Sequence, residues 1–126
     1  NTRFTPDAVR YENGMTFRDI EAGFRRGFYR FNNSVRREAV LVDEARGISL
    51  FRGFIDHKGV LDTYILTDGS EERTVFREPH CWSFLEMFKI KNGAITGVEA
   101  VFIAAPYNMQ SPWFTEPVWT KNSVLV

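Results

Sequence analysis

Asn92-Gly93, set between two long runs rich in β-branched and aromatic residues, constrains this chain more than any other dipeptide in it. A two-residue type I′ turn needs φ above zero at both central positions, and Asn-Gly meets that need at little cost. The spacing therefore predicts one long β-hairpin from Cys81 to Ala105, with Lys91 facing Ala94 and Ile90 facing Ile95. An unbroken ladder continues with Phe88 opposite Gly97, Glu86 opposite Glu99, Phe84 opposite Val101 and Trp82 opposite Ile103. Side chains alternate faces with period two, so these pairs share one face and set two carboxylates side by side among aromatic rings. Like charges at that spacing disturb each other or recruit a cation, and such arrangements concentrate at functional sites.

The rest of the chain is read around that hairpin. Its 126 residues form one domain, 1–126, large enough for a real core, with 114–126 as a C-terminal tail that packs on the body or on a second subunit. Sixteen basic residues balance sixteen acidic ones, which leaves no electrostatic footprint for nucleic acid or an anionic membrane. No run approaches the ~18 apolar residues of a membrane span, and no signal peptide is visible. The single cysteine, Cys81, excludes an internal disulfide and a Cys-rich metal cluster, and fits a reducing, cytoplasmic setting. Twelve Phe, four Tyr and three Trp demand either an aromatic core or an apolar cavity, and composition alone does not separate the two.

In chain order, Asn1 to Thr5 has strand character, Pro6-Asp7 signals a turn, and Ala8 to Glu12 alternates as a second short strand ending at Asn13-Gly14. Thr16 as N-cap and Phe17, Ile20, Glu21 and Phe24 at helical spacing predict a helix from Phe17 to Arg26, stopped by Gly27. Val35 to Asp43 and Ile48 to His57 read as a second hairpin, in which Arg52 faces either Glu38 or Ala39. Val60 to Thr67 reads as a short strand or a helical turn. Gly59, Asp68-Gly69 and Glu71-Glu72-Arg73 mark exposed loop, and Pro106 to Trp113 ends the last strand.

Four stretches carry a family resemblance: Asp43 to Ile48, Gly53 to His57, Glu86 to Ile95, and Val98 to Phe102 followed by Pro106-Tyr107-Asn108-Met109. Over roughly residues 1 to 113 the sequence resembles the nuclear-transport-factor-2-like (NTF2-like), or SnoaL-like, superfamily, in a branch that includes polyketide and meroterpenoid isomerases and lignin-dimer lyases. The resemblance implies an α+β fold whose strongly curved antiparallel sheet forms a cone-shaped pocket. Family members open with about two helices, and this sequence begins at the first strand, so the chain is expected to be a fragment or to take its covering helices from elsewhere.

The resemblance also implies that one face of the hairpin lines an apolar pocket, and the face with Trp82, Phe84, Glu86, Phe88, Ile95, Glu99, Val101 and Ile103 is the expected wall. The catalytic candidates are Glu86 and Glu99 as proton shuttle, His57 and His80 as second acid or base, and Arg52 as the cation that sets their charge. Asp56 and His57 point to opposite faces of a strand and form no dyad without a bulge. Trp82, Phe84, Phe88, Val101, Tyr107, Met109, Trp113 and Tyr29 are the expected substrate contacts. Two histidines far apart without a Cys partner argue against a metal, and no Gly-rich loop suggests a nucleotide, so no cofactor is expected. The expected function is a cofactor-independent lyase, dehydratase or isomerase acting on a hydrophobic oxygenated aromatic or polycyclic molecule, with a lignin-derived diaryl diol as one candidate. The expected assembly is a homodimer. The alternative is a non-catalytic binding or dimerisation domain on the same fold.

Overall fold

Asn92 and Gly93 both adopt left-handed backbone conformations, with φ 51° and 74°. They join the two longest strands of the computed structural model, which describes residues 3–60, 63–74 and 76–111. Those strands are β7 (His80–Lys91) and β8 (Ala94–Pro106). Ahead of them come β1 (Phe4–Glu12), β2 (Met15–Phe17), α1 (Ile20–Arg26), a 3₁₀ turn (Phe28–Phe31), β3 (Ser34–Asp43), β4 (Ile48–His57), β5 (Thr63–Ile65) and β6 (Glu71–Arg73). Strands β5 and β6 pair only with each other, and the remaining six form one curved sheet in the order β2-β1-β8-β7-β4-β3. The result is an α+β fold dominated by that sheet.

The hairpin forms where the sequence places it, but its register is not the unbroken one. Lys91 faces Ala94 and Ile90 faces Ile95, after which the ladder slips by one and Lys89 faces Gly97. Thr96 is the extra residue, and its hydroxyl donates to the Lys89 carbonyl at 3.3 Å. A single inserted residue moves everything beyond it to the other face of the sheet. Glu86 therefore faces Ala100, and Glu99 faces Met87 on the outer surface. The expected Glu86–Glu99 pair does not exist. Val101 and Ile103 go outward with Glu99 and are 51% and 65% exposed, whereas Val98, Ala100 and Phe102 turn inward. The slip is stabilised by burial, since it lets Ile95 and Val98 both join Ala8 and Ile20 in the core.

Asn13-Gly14 obeys the same turn rule, with φ 47° and 82°. It folds Met15–Phe17 back onto β1 with Phe17 opposite Arg10, so Thr16 and Phe17 are strand residues. The expected helix consequently starts late, at Ile20, with Asp19 at the cap in a left-handed conformation and without a side-chain cap bond. Gly27 does stop it, at φ 76°, with its N–H donating to the Phe24 carbonyl. Pro6 does not split the first strand in two. It sits inside a β1 whose parallel pairing to β8 breaks after Phe4 and resumes at Val9, because proline brings no N–H to the ladder.

Strands β3 and β4 take the register with Glu38 opposite Arg52, and a bulge between Ala39 and Leu41 follows. At Gly53 the two strands press together: a Cβ there would sit 2.0 Å from the Arg36 carbonyl oxygen. Of the stretch Val60 to Thr67, Thr63–Ile65 form β5, closed against β6 through Asp68-Gly69.

Candidate functional site

The concave side of the sheet, α1 and the 3₁₀ turn enclose a cavity of about 580 Å³, a size typical of small-molecule sites. Rings dominate its wall: Phe4, Phe24, Tyr29, Phe31, Phe51, Phe76, Trp82, Phe84, Phe88 and Phe102 all line it. Phe76 comes from the connection between β6 and β7, the others from the inward half of a strand's alternation or from the two short helical segments, and neighbouring rings brace one another. Phe24 lies 5.0 Å from Tyr29, and Phe84 stacks on Phe102 at 5.7 Å. The aromatic composition thus serves a cavity as well as a core.

Into this apolar wall β1 and β7 place charge. Arg10 and Glu12, two residues apart on β1, share the face that Glu86 of β7 also occupies. The Arg10 Nη1 donates to Glu86 Oε1, and Arg10 Nε donates to Glu12 Oε2 at 3.0 Å. Only 9% of the Arg10 side chain and 12% of the Glu86 side chain are exposed. Burial works against the Arg10 charge most strongly, yet attraction and hydrogen bonds to Glu86 and Glu12 outweigh it and hold the guanidinium above its usual pKa. The guanidinium also lies 5.6 Å from the centre of the Phe102 ring.

Glu86 spends one oxygen on Arg10. Its Oε2 makes no hydrogen bond among the described residues. Beside it, Tyr29 lines the same cavity, and its hydroxyl is pushed up in pKa chiefly by burial, with Arg10 opposing and Glu12 and Glu86 adding to the rise. Tyr64 and Tyr107 are committed elsewhere: the Tyr64 hydroxyl donates to the Phe28 carbonyl at 2.8 Å, and the Tyr107 hydroxyl accepts from Asn33 Nδ2 at 3.3 Å.

The two histidines do come together, opposite each other at the start of β7 and the end of β4. Their rings stack at 5.3 Å and 23°. Gly59 N–H donates to His57 Nδ1 at 2.9 Å, which places the His57 proton on Nε2, 3.3 Å from Thr74 Oγ1. His80 Nδ1 donates to the Glu78 carbonyl at 2.8 Å. Phe31, Phe76 and Trp82 pack against these rings, and neither histidine lines the cavity. His80 and Glu86 lie six residues apart on β7, about 20 Å at the rise of an extended strand. They do not serve one reacting atom.

Arg52 is on the outer face, bonded to Glu38 Oε2 at 3.0 and 2.8 Å, for the plain reason that it alternates with the inward Phe51 and Gly53. Asp56 is outward too, as its adjacency to His57 requires, and is fully buried against Arg36. Met109, 44% exposed as a residue, presents its carbonyl to Arg36 Nη1 at 2.7 Å, and neither it nor Tyr107 lines the cavity. Trp113 lies outside the described residues, as does the tail 114–126. Of the expected contacts, Trp82, Phe84, Phe88 and Tyr29 form the wall with Glu86, whereas Glu99 and Val101 stand on the opposite surface. Sequence reasoning missed Arg10 and Glu12. Their signal was a pair of opposite charges at strand spacing, i and i+2, which must share a face.

No group of three or more His, Cys, Asp or Glu side chains suited to a metal occurs among the described residues, and no helix there is long and apolar enough to cross a membrane.

A sheet wrapped around a ring-lined cavity in this strand order defines the NTF2-like fold. An NTF2-like protein of unknown function from Cytophaga hutchinsonii superposes with a TM-score of 0.51 at 12% identity, covering 79% of each chain. AclR from Streptomyces galilaeus gives 0.49 at 13% identity, covering 80% of this chain and 71% of its own. Within that fold, residues 1–102 match a family described as a domain of unknown function, DUF8021, and the chain belongs to it. A search of the curated proteins found no match.

Proposed function

We propose that the cavity is the active site of a cofactor-independent enzyme that moves protons on a hydrophobic, oxygenated aromatic molecule. One observation carries this reading: Glu86 is fixed through Oε1 by Arg10 and keeps Oε2 uncommitted, in a wall made of rings. A carboxylate held in one orientation and shielded from bulk water is a general base whose geometry is set before the substrate arrives. Arg10 stabilises negative charge that develops beside it, and the Tyr29 hydroxyl supplies a proton or a hydrogen bond to a substrate oxygen.

Isomerisation, dehydration and retro-aldol cleavage all use these parts. For a lignin-derived diaryl propanediol, Glu86 takes the proton of the hydroxymethyl O–H, the carbon–carbon bond breaks to release formaldehyde, and its electrons form the new C=C bond. The benzylic hydroxyl, protonated by the acid, leaves as water. Glu86→Gln is expected to lower formaldehyde release by about 10²–10⁴-fold with unchanged circular dichroism, and equal turnover in the two proteins removes Glu86 from the mechanism. The second reading, a non-catalytic binding domain, draws on the same ion pair, since Arg10 neutralises Glu86. It predicts saturable ligand binding with no turnover in either protein.

The outer surface supports a second copy of the chain as partner. Leu85, Val101 and Ile103 are adjacent there and about half exposed or more, an apolar surface of the kind that mates. Sedimentation is expected to show a dimer that Ile103→Glu converts to monomer, and a monomeric parent protein rejects the assembly.

A further inference from the structure

Three arginines and three glutamates line the cavity, and they are not distributed evenly. Arg25 is bonded to Glu21 on α1. Arg10 is shared between Glu86 and Glu12, so that cluster carries one negative charge more than it neutralises. The positive counterpart is Arg37, which lines the cavity from β3 and makes no hydrogen bond or ion pair among the described residues. The cavity is therefore neutral as a whole and polarised end to end, negative at the β1–β7 wall and positive at the β3 wall.

The register gives the span. Glu86 faces Phe51 on β4, Phe51 faces Ala39 on β3, and Arg37 lies two residues along from Ala39. Two strand spacings and two residue rises put the Cα atoms of Glu86 and Arg37 about 12 Å apart on a flat sheet. Phe51 on β4 and Phe84, two residues from Glu86 on the Arg37 side, occupy the interval.

Resting on the acid/base reading of this cavity, we propose that its ligand is a hydroxylated aromatic carboxylate about two rings long. Arg37 takes the carboxylate, the rings lie on the phenylalanine wall, and the distal hydroxyl donates to the free oxygen of Glu86. The match is one of charge and length. A guanidinium pairs with a carboxylate in a planar, two-bond geometry, and the excess negative charge of the Glu86–Arg10–Glu12 cluster favours a group that brings a proton over one that brings a lone pair.

Calorimetric titration with three probes tests this: para-hydroxybiphenyl carboxylate, its carboxamide, and biphenyl carboxylate. The parent protein is expected to bind the acid roughly 3- to 10-fold more tightly than the amide at low salt, the range of an exposed to half-buried ion pair. Arg37→Gln is expected to abolish that ratio by weakening the acid alone, while Arg52→Gln on the outer face leaves it intact. Loss of the hydroxyl is expected to weaken binding in both the parent and Arg37→Gln. An amide bound as well as the acid, a ratio that survives Arg37→Gln, or no saturable binding of any probe overturns the proposal. The two readings fail separately: discrimination without turnover rejects the enzyme and keeps the ligand class, and turnover without discrimination does the reverse.

Discussion

Two buried arginine–carboxylate clusters lie on opposite faces of the same sheet, and they differ in how completely their oxygens are used. On the outer face Asp56 is 0% exposed. Its Oδ1 accepts from Arg36 Nη2 at 3.0 Å, and its Oδ2 accepts from Arg36 Nε at 2.9 Å and from the Ser34 hydroxyl at 2.6 Å. Arg36 spends its remaining arm on the Met109 carbonyl and lies over the Phe54 ring at 4.8 Å. On the inner face Glu86 spends one oxygen and faces a cavity with the other. A closed network holds β3, β4 and the segment after β8 together, and nothing in it is left for a substrate. An open one has a vacancy shaped by its surroundings. Burial and ion pairing alone therefore do not distinguish structural charge from functional charge. What separates these two clusters is the unspent oxygen of Glu86.

The largest effect expected from this contrast is on folding. Asp56→Ala strands the Arg36 guanidinium without its counter-ion and is expected to cost about 3–5 kcal/mol of stability in urea denaturation. A loss below about 1 kcal/mol breaks the comparison from the structural side. Glu86→Gln, measured in the same way, is expected to cost only about 1 kcal/mol or less, because Arg10 keeps Glu12 and an amide oxygen still accepts. On the proposed acid/base reading its damage falls on turnover, and a stability loss as large as that of Asp56→Ala makes Glu86–Arg10 a second structural pair.

The smallest effect sharpens the comparison with an exposed contact. Asp68 lies beside Arg26 at 2.8 Å, each about half exposed, and its carboxyl falls from 3.8 to about 2. The hydrogen bonds from Ser70 come first among the causes and Arg26 after them. A folded-state pKa below the unfolded value contributes stability that is present above the unfolded pKa and lost as pH falls through the folded one. For Asp68 that window runs from about pH 4 down to about 2. Carboxyl titration by NMR is expected to show Ser70→Ala raising this midpoint more than Arg26→Ala does. The opposite order returns the leading role to the ion pair.

Turn chemistry was the most legible part of the fold, because Asn-Gly dictates backbone sign locally. It located β7 and β8, and at Asn13-Gly14 it took Phe17 into a strand and left Ile20 and Phe24 to the helix. The inserted residue at Thr96 was harder to see. Its burial benefit comes from Ala8 and Ile20, residues far away in sequence, although Gly97 inside a strand pattern is a known sign of a bulge. A carboxylate forced onto an apolar wall at Glu99 was the other sign. Glu86 and the aromatic wall were readable from alternation, whereas Arg10 reaches Glu86 only through the parallel pairing of β1 with β8, which no local pattern encodes.

The inserted threonine has a consequence for how this protein can diverge. Beyond it, alternate positions of β8 answer to different demands. Ala100 is buried and Phe102 lines the cavity, while Glu99, Val101 and Ile103 stand on the outer surface. Substitutions that reshape the interior and substitutions that reshape the outer surface thus fall on interleaved residues of one strand. Loss of that single residue would exchange the two sets, so length at this point is inherited information in the same sense as side-chain identity.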